Sequence, residues 1–318
     1  MVKSLAATSV GWQAASRLRP RGAIVVLYHR ISAPGDRFRL PGLPVEHFEA
    51  QMRWLAARCR PIAPEQLREE VISADSSRPP VLVTFDDGYR CFRERAYPIL
   101  KELGIPALLF LTTAYIDEPS SLFWWDTLRA AVEGSAHDSL ELPWAPGSRM
   151  PLSGAENRER LLVHARGHLK SVRDERRQSD LALLLERLGM AGRRVNTTRE
   201  MMSWDDVRAV LDTTHLGGHS HTHPLLAQVD DAKLETEVAT CRERLRSETG
   251  LVPRWFAYPN GSFDDRSRAA LTRHGFDTAF TTIQGVVKPG ADPLALRRFS
   301  SSGTTSDLAW RLSVQARD

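Results

Sequence analysis

The chain has 318 residues, enough for one large α/β domain or two smaller ones with an ample core. Its net charge of +4, with no aromatic-basic motif beside it, argues against nucleic acid as a partner. The cysteines Cys59, Cys91 and Cys241 lie far apart and form no Cys-x-x-Cys pair, which excludes a zinc ribbon and disfavours a disulfide framework. We expect buried free thiols.

The sequence gives no sign of a membrane span or of a signal peptide. The first 22 residues contain no apolar run of the length that a signal peptide needs. The most apolar stretches, AIVVLY and ALLFLTTAYI, are far shorter than the roughly 18 residues of a spanning helix. We therefore expect a cytoplasmic protein.

Short apolar strands alternate with helices from residue 22 onward. The first strand lies in GAIVVLYHR, and the helix after it places Phe48, Met52 and Leu55 on one face. The next elements are a helix in APEQLREEVIS, a strand over Val81–Phe85, a helix ended by Gly104, and a strand in PALLFLTT. This alternation predicts parallel βα units.

The pattern changes between about residues 120 and 200. The segment begins with the aromatic helix FWWDTLRAAV, continues as a Pro/Gly-rich loop, and ends in a long Arg-rich helical stretch. Beyond it the alternation resumes with a helix N-capped by Ser203, and RWFAYPNG, FDTAFTT and LALRRFS are further strand candidates. We predict one domain over 1–318, a distorted (β/α) barrel of about seven parallel strands with a mostly helical insertion at 120–200.

Two adjacent carboxylates, Asp86 and Asp87, directly follow a buried strand in VLVTFDDGYR. Like charges at a strand end repel unless a cation, a shared proton or hydrogen bonds offset them. An ordinary turn explains the pattern equally well, with Asp capping the backbone and Gly88 at positive φ. The rest of the chain has to distinguish these two interpretations.

A histidine cluster in GGHSHTHP favours the interpretation that a cation offsets the charges of the two aspartates. His219 and His223 are spaced so that both can bind one ion, and they also follow a short apolar segment. In a βα barrel all strand C-termini face one mouth, so the histidines would meet the aspartates there. One aspartate and two histidines leave coordination positions open, as catalytic metal sites require, and spacing alone does not tell which aspartate binds. Zinc suits these ligands, and cobalt, nickel and manganese are also accepted.

The segments TFDDGY, HSHTH and FAYPNG, in this order, resemble the leading motifs of the polysaccharide deacetylases, the NodB-homology or carbohydrate esterase family 4 enzymes. The resemblance implies a metal-dependent hydrolase that removes N-acetyl groups from amino sugars. It makes Asp86 the general base and Asp87 a metal ligand, together with His219 and His223. His221 lies between the ligands and is expected to support them or to face the surface.

Two departures from the family pattern affect the remaining assignments. Many members carry an arginine in the third motif that orients the base, but this chain has Ala257 at that place. Arg254, Arg297 and Arg298 are candidate replacements. The alignment of this motif places the oxyanion-binding backbone N–H at Asn260 and makes Tyr258 a candidate substrate or oxyanion contact.

The second departure concerns the general acid. Members often end with a Leu-x-His motif, and no histidine follows His274 in this chain. LYHR near the N-terminus resembles the permuted arrangement of poly-N-acetylglucosamine deacetylases, which implies that His29 is the acid. A strand-end histidine held by a backbone carbonyl is the alternative.

The expected partner is a carbohydrate that bears N-acetyl groups, in an exopolysaccharide or cell-envelope pathway. Trp124 and Trp125 could stack on a sugar or a lipid tail, and the Arg-rich helices could meet a diphosphate or a membrane surface. Equally, the tryptophans could be core residues. A non-catalytic carbohydrate-binding relative and a hydrolase of a non-sugar amide remain as alternative functions.

Overall fold

The computed structural model describes residue 12 and residues 21–36, 42–73, 78–118, 122–190 and 200–314. Their contacts divide the chain into two compact units. The barrel unit takes in the described residues of 1–33, 42–117 and 201–318, and the helical unit takes in those of 34–41 and 118–200. Whether the helical unit is carried on a single folding domain, as the sequence suggests, stays a prediction.

The strands of both units are short. In chain order they are β1 (Ile24–Tyr28), β2 (Ile31–Ser32), β3 (Leu43–Pro44), β4 (Arg60–Pro61), β5 (Pro80–Phe85), β6 (Ala107–Leu111), β7 (Ser139–Glu141), β8 (Arg149–Pro151), β9 (Thr214–Gly218), β10 (Trp255–Ala257), β11 (Thr278–Phe280) and β12 (Phe299–Ser300). The α-helices are α1 (Val45–Arg58), α2 (Leu67–Ser73), α3 (Tyr97–Glu102), α4 (Trp124–Gly134), α5 (Ala155–Ser171), α6 (Asp174–Arg187), α7 (Trp204–Arg208), α8 (Asp231–Thr249), α9 (Asp265–Arg273) and α10 (Thr305–Val314).

One curled parallel sheet forms the centre of the barrel unit. Its seven main strands pair in the order β11, β10, β9, β6, β5, β1, β12, and β4 pairs with the start of β5. Strands β1, β5 and β6 are buried along their whole length, as expected when both faces of a parallel sheet are covered. The predicted fold, a distorted (β/α) barrel of about seven parallel strands, is confirmed.

The chain after β11 contacts both edges of this sheet. Leu296 bridges to Phe280 of β11 in parallel, and three residues later Phe299 pairs with Val26 of β1. Between these two points, the Arg298 N–H donates to the carbonyl of Ile283. The segment therefore runs from β11 to β1. It carries the Arg298 side chain into the interior, where it is fully buried.

N-cap residues in the sequence account for where two helices of the barrel unit begin. Ser203 caps α7 as predicted, since its hydroxyl accepts the Asp206 N–H at 3.0 Å. Asp230 caps α8 in the same way through the Lys233 N–H. These caps begin the helices that precede and follow β9 along the chain.

The helical unit has its own apolar core, formed by α4, α5 and α6 and a small antiparallel hairpin of β7 and β8. The sequence predicted a loop over residues 141–154, and this was wrong for Glu141 and for residues 149–151, which lie in the hairpin. Trp124 packs against this core, and the Arg177 guanidinium lies 5.9 Å from its ring centroid. Trp125 stacks on the buried Phe123 at 4.5 Å. Trp124 is therefore partly buried against the core of its own unit.

Two further sequence predictions can be compared with the structure. Cys59, Cys91 and Cys241 are free and buried, which confirms the thiol prediction. In the part of the chain that the structure describes, no helix has the length and hydropathy to cross a membrane.

Candidate active site

Polar side chains gather where the central strands end. Asp86 and Asp87 follow β5, and His219 follows β9, with β6 between the two strands. The His219 N–H donates to the carbonyl of Leu111, the last residue of β6, at 2.9 Å. Because parallel strands bring their C-terminal ends to one edge of a sheet, residues more than 130 positions apart meet there.

The turn after β5 reverses the chain sharply at the second aspartate. Asp87 has φ of 80° and Gly88 has φ of 89°, both in the left-handed region. A Cβ on Gly88 would also lie only 2.9 Å from the Leu111 side chain, so glycine is required there for two reasons. A non-glycine residue at positive φ is strained, and such strain is held in place mainly at functional sites.

Asp87, His219 and His223 form a compact donor set. Each offers one ligand atom, these atoms lie within 4.8 Å of one another, and all three residues are buried. Asp87 Oδ1 is 3.4 Å from His219 Nε2 and 3.5 Å from His223 Nε2. This buried oxygen accepts no hydrogen bond from the described residues. A carboxylate oxygen and two imidazole nitrogens facing one point fit a divalent metal, with coordination positions left over.

The backbone around the histidines presents the correct ring nitrogens. His219 Nδ1 lies 2.7 Å from the Ala257 carbonyl, so Nδ1 carries the proton and Nε2 keeps its lone pair for a metal. The Ser220 hydroxyl accepts the His223 N–H at 3.0 Å within the same loop. His221 points elsewhere, since its Nδ1 lies 3.0 Å from the Thr113 hydroxyl, and it is not part of the donor set.

Burial and neighbouring charges shift the pKa values of the three donor residues in different directions. Burial lowers the pKa of His223 to about 3, with repulsion from His219 adding to the effect, so this imidazole is neutral. Burial alone would raise the pKa of Asp87, but its contact with His219 and the nearby charges of other histidines lower it. For His219, burial lowers the pKa, but Asp86 and Asp87 outweigh that effect and the pKa is raised.

Asp86 does not join the donor set because Arg298 holds it. Arg298 Nη1 donates to Asp86 Oδ1 at 2.7 Å, and Nη2 donates to Oδ2 at 2.8 Å. The Arg298 Nε–H donates to the Thr281 carbonyl, so the guanidinium itself is fixed. Burial raises the pKa of Asp86, but Arg298 and His219 outweigh burial and bring it down to about 2. Asp86 is thus an ionised carboxylate, 3.9 Å from His219 Nε2.

The structure distinguishes among the three arginines that the sequence left as candidates. Arg254 is exposed and pairs with Asp277, and Arg297 donates to the Gln284 carbonyl. Arg298 is the one of the three that contacts Asp86. The chain thus places an arginine on Asp86 although its third motif has Ala257 where many family members carry an arginine.

His29 lies at the same edge of the sheet, directly after β1. Its side chain is exposed, and its charge contributes to lowering the pKa of both Asp86 and Asp87. An exposed imidazole within electrostatic range of two carboxylates is accessible to a bound substrate.

The two residues of the third motif have different surroundings. The Tyr258 side chain is buried. Its hydroxyl donates to the Leu294 carbonyl, and its backbone N–H donates to the Phe280 carbonyl. Both donors are engaged within the protein, which does not support a contact with substrate, and the assignment of Tyr258 stays a prediction. Asn260 is exposed with φ of 53°, and its N–H has no acceptor in the described part of the chain.

Comparisons with known proteins agree with this geometry. A family model described as polysaccharide deacetylase matches residues 73–139 and 188–279, which is half of the chain. Asp86 and the three residues of the donor set lie within the matched ranges, whereas His29 and Arg298 lie outside them.

Curated relatives match over part of their length. The protein YxkH of Bacillus subtilis (strain 168) is 34% identical over 95 residues, 29% of this chain and 33% of YxkH. The chitin deacetylase of Amylomyces rouxii is 25% identical over 113 residues, 30% of this chain and 27% of that enzyme. The matches thus span a third or less of these relatives.

Solved structures match over nearly the whole chain. IcaB from Ammonifex degensii has a TM-score of 0.61 at 18% identity, with 94% of this chain and 99% of that one covered. The Streptococcus pyogenes deacetylase PplD, in complex with acetate, has a TM-score of 0.60 at 16% identity, with coverages of 92% and 98%. At these identities the likeness establishes the fold.

Proposed function

Because the chain belongs to the polysaccharide deacetylase family, we propose that it is a metal-dependent hydrolase of N-acetyl groups on an amino sugar. One observation carries the proposal. A buried Asp-His-His donor set lies beside a second carboxylate, Asp86, which Arg298 keeps ionised and out of the donor set. A protein that only bound sugars would have no use for a fixed carboxylate next to a metal position.

Asp87, His219 and His223 would hold the metal. We propose zinc, since neutral imidazoles with a carboxylate suit it, although cobalt, nickel and manganese are accepted by the same ligands. A divalent metal held by these residues would supply polarisation of the acetamide carbonyl and a lower pKa for the attacking water.

Asp86 acts as the general base in this proposal. Its carboxylate accepts a proton from the attacking water, and the two hydrogen bonds from Arg298 fix its orientation. A carboxylate with a pKa of about 2 is a weak base, so it requires a water that is already acidified. The Asp86 side chain and the donor set are therefore needed together.

Two more residues complete the proposed reaction. The backbone N–H of Asn260 donates to the oxyanion that forms when water attacks the acetamide carbon. His29 then protonates the amine as the carbon–nitrogen bond breaks, because an unprotonated amine leaves poorly. Both residues are exposed, as contact with a substrate requires.

The proposal predicts metal content and acetate release together. Protein purified without a nickel column should contain about one zinc ion per chain and should release acetate from chitin oligomers or poly-N-acetylglucosamine. Removal of the metal with a chelator should abolish release, and added Zn²⁺ should restore it. Bound metal with no acetate release from either glycan would instead support a non-catalytic carbohydrate-binding protein or a hydrolase of a non-sugar amide.

We further propose that the amino sugar is linked to a diphosphate, as in a nucleotide- or lipid-linked intermediate. The net charge of +4 favours association with an anionic substrate. A diphosphate-linked N-acetyl sugar should therefore react with a higher kcat/KM than the same sugar free, and added salt should reduce the difference. Equal kcat/KM values at low salt would contradict this choice of substrate.

A further inference from the structure

The loop that carries both histidines of the donor set is strained. It follows β9, and it holds two non-glycine residues in the left-handed region, Ser220 with φ of 62° and His223 with φ of 64°. Such residues cost about 1–3 kcal/mol each and persist only where surrounding contacts impose them. The loop therefore needs anchors to keep His219 and His223 facing Asp87.

The segment directly after β6 supplies the anchor on one side of this loop. The Thr113 N–H donates to the Ser220 carbonyl at 3.3 Å, and the Ala114 N–H donates to the His221 carbonyl at 2.9 Å. These bonds satisfy carbonyl groups of the loop. The N–H groups of His221 and Thr222, in the centre of the loop, are bonded by acceptors on a different element.

Glu237, on α8, supplies those acceptors. Its Oε2 accepts the N–H of His221 at 2.9 Å and the N–H of Thr222 at 2.7 Å, and its Oε1 accepts the Thr222 hydroxyl. The Glu237 residue is only 3% exposed. These three donors are the hydrogen-bond partners of the buried Glu237 carboxyl group in the described part of the chain.

We propose that Glu237 is a positioning residue for the metal site. It contacts neither the metal position nor the substrate, and it acts by fixing the two backbone N–H groups between His219 and His223. The strained loop conformation then exists before a metal arrives, and binding does not have to order it. The inference rests on the proposed function because it assumes that the donor set binds a metal.

The test measures Co²⁺ binding to the full chain by chelator competition and by visible absorption. Glu237→Ala should weaken Co²⁺ affinity by about 10- to 100-fold and change the absorption spectrum. Glu237→Asp keeps the charge but is one methylene too short to reach both N–H groups, so it should also weaken binding. Glu237→Gln keeps the length and one acceptor oxygen, so it should bind more tightly than either.

The control is Glu243→Ala. Glu243 lies on the same helix, is exposed and pairs with Arg246, so its removal should leave Co²⁺ affinity unchanged. If the Glu237→Ala protein does not fold, as judged by circular dichroism, the Asp and Gln variants decide the outcome. Equal Co²⁺ affinity and spectra for the wild type and the Asp variant would overturn the role of Glu237. A wild type that binds no Co²⁺ would instead contradict the proposed function.

Discussion

Asp86→Asn is expected to lower kcat by about two to four orders of magnitude while the purified protein keeps its metal. The amide cannot accept the proton of the attacking water at neutral pH, so the base is lost. Asp87, His219 and His223 are unchanged, and the metal ligands remain. The measurement pairs acetate release with metal content on the same preparation.

His219→Ala is the contrasting variant, because it removes a ligand atom from the donor set. Both metal content and turnover should be lost, since two ligands bind a divalent ion far more weakly than three. Retention of stoichiometric metal by His219→Ala would contradict the ligand assignment. Wild-type turnover by Asp86→Asn would contradict the assignment of Asp86 as the base.

The donor set could be predicted from the sequence because its information is local. Asp86 and Asp87 follow one buried strand directly, and His219 follows another, so each motif contains both the strand and the side chain at its end. Parallel pairing then brings the strand ends together without further information. The same logic places His29 after β1.

Arg298 could not be singled out in this way. It lies 212 residues from Asp86, and its neighbour Arg297 and the more distant Arg254 have the same chemistry. Which of these arginines enters the interior depends on the path that the chain takes from β11 to β1. Tyr258 is the converse case, since its motif position predicts a substrate contact whereas alternation along the strand end turns its ring into the core. Glu237 has no motif at all, and its role emerges only from the packing of α8 against the loop.

Replacing Arg298 is expected to damage both stability and activity. Arg298→Met leaves the buried carboxylate of Asp86 without its partner, which costs about 3–5 kcal/mol in the free energy of unfolding. Arg298→Lys keeps the charge but loses the paired hydrogen bonds, so Asp86 is free to rotate. The Lys variant should fold and show kcat reduced about 100-fold, as expected for a misplaced catalytic group. Urea unfolding and acetate release measure the two effects.

Arg297→Lys is the matched control for this prediction, since the side chain is adjacent and exposed and bonds only to the Gln284 carbonyl in the described part of the chain. It should leave stability and kcat unchanged.

The pH dependence of stability gives a second check on the role of Arg298. The pKa of Asp86 is lower in the folded protein, about 2, than its ordinary value of 3.8. Its contribution to stability is therefore fully present above about pH 4 and is lost as pH falls through about 2. The stability difference between the wild type and Arg298→Met should be largest near neutral pH and should shrink as pH falls and Asp86 becomes protonated, first in the variant, where burial raises its pKa, and then in the wild type. A difference that stays the same down to about pH 2 would mean that the ion pair with Asp86 is not what Arg298 contributes.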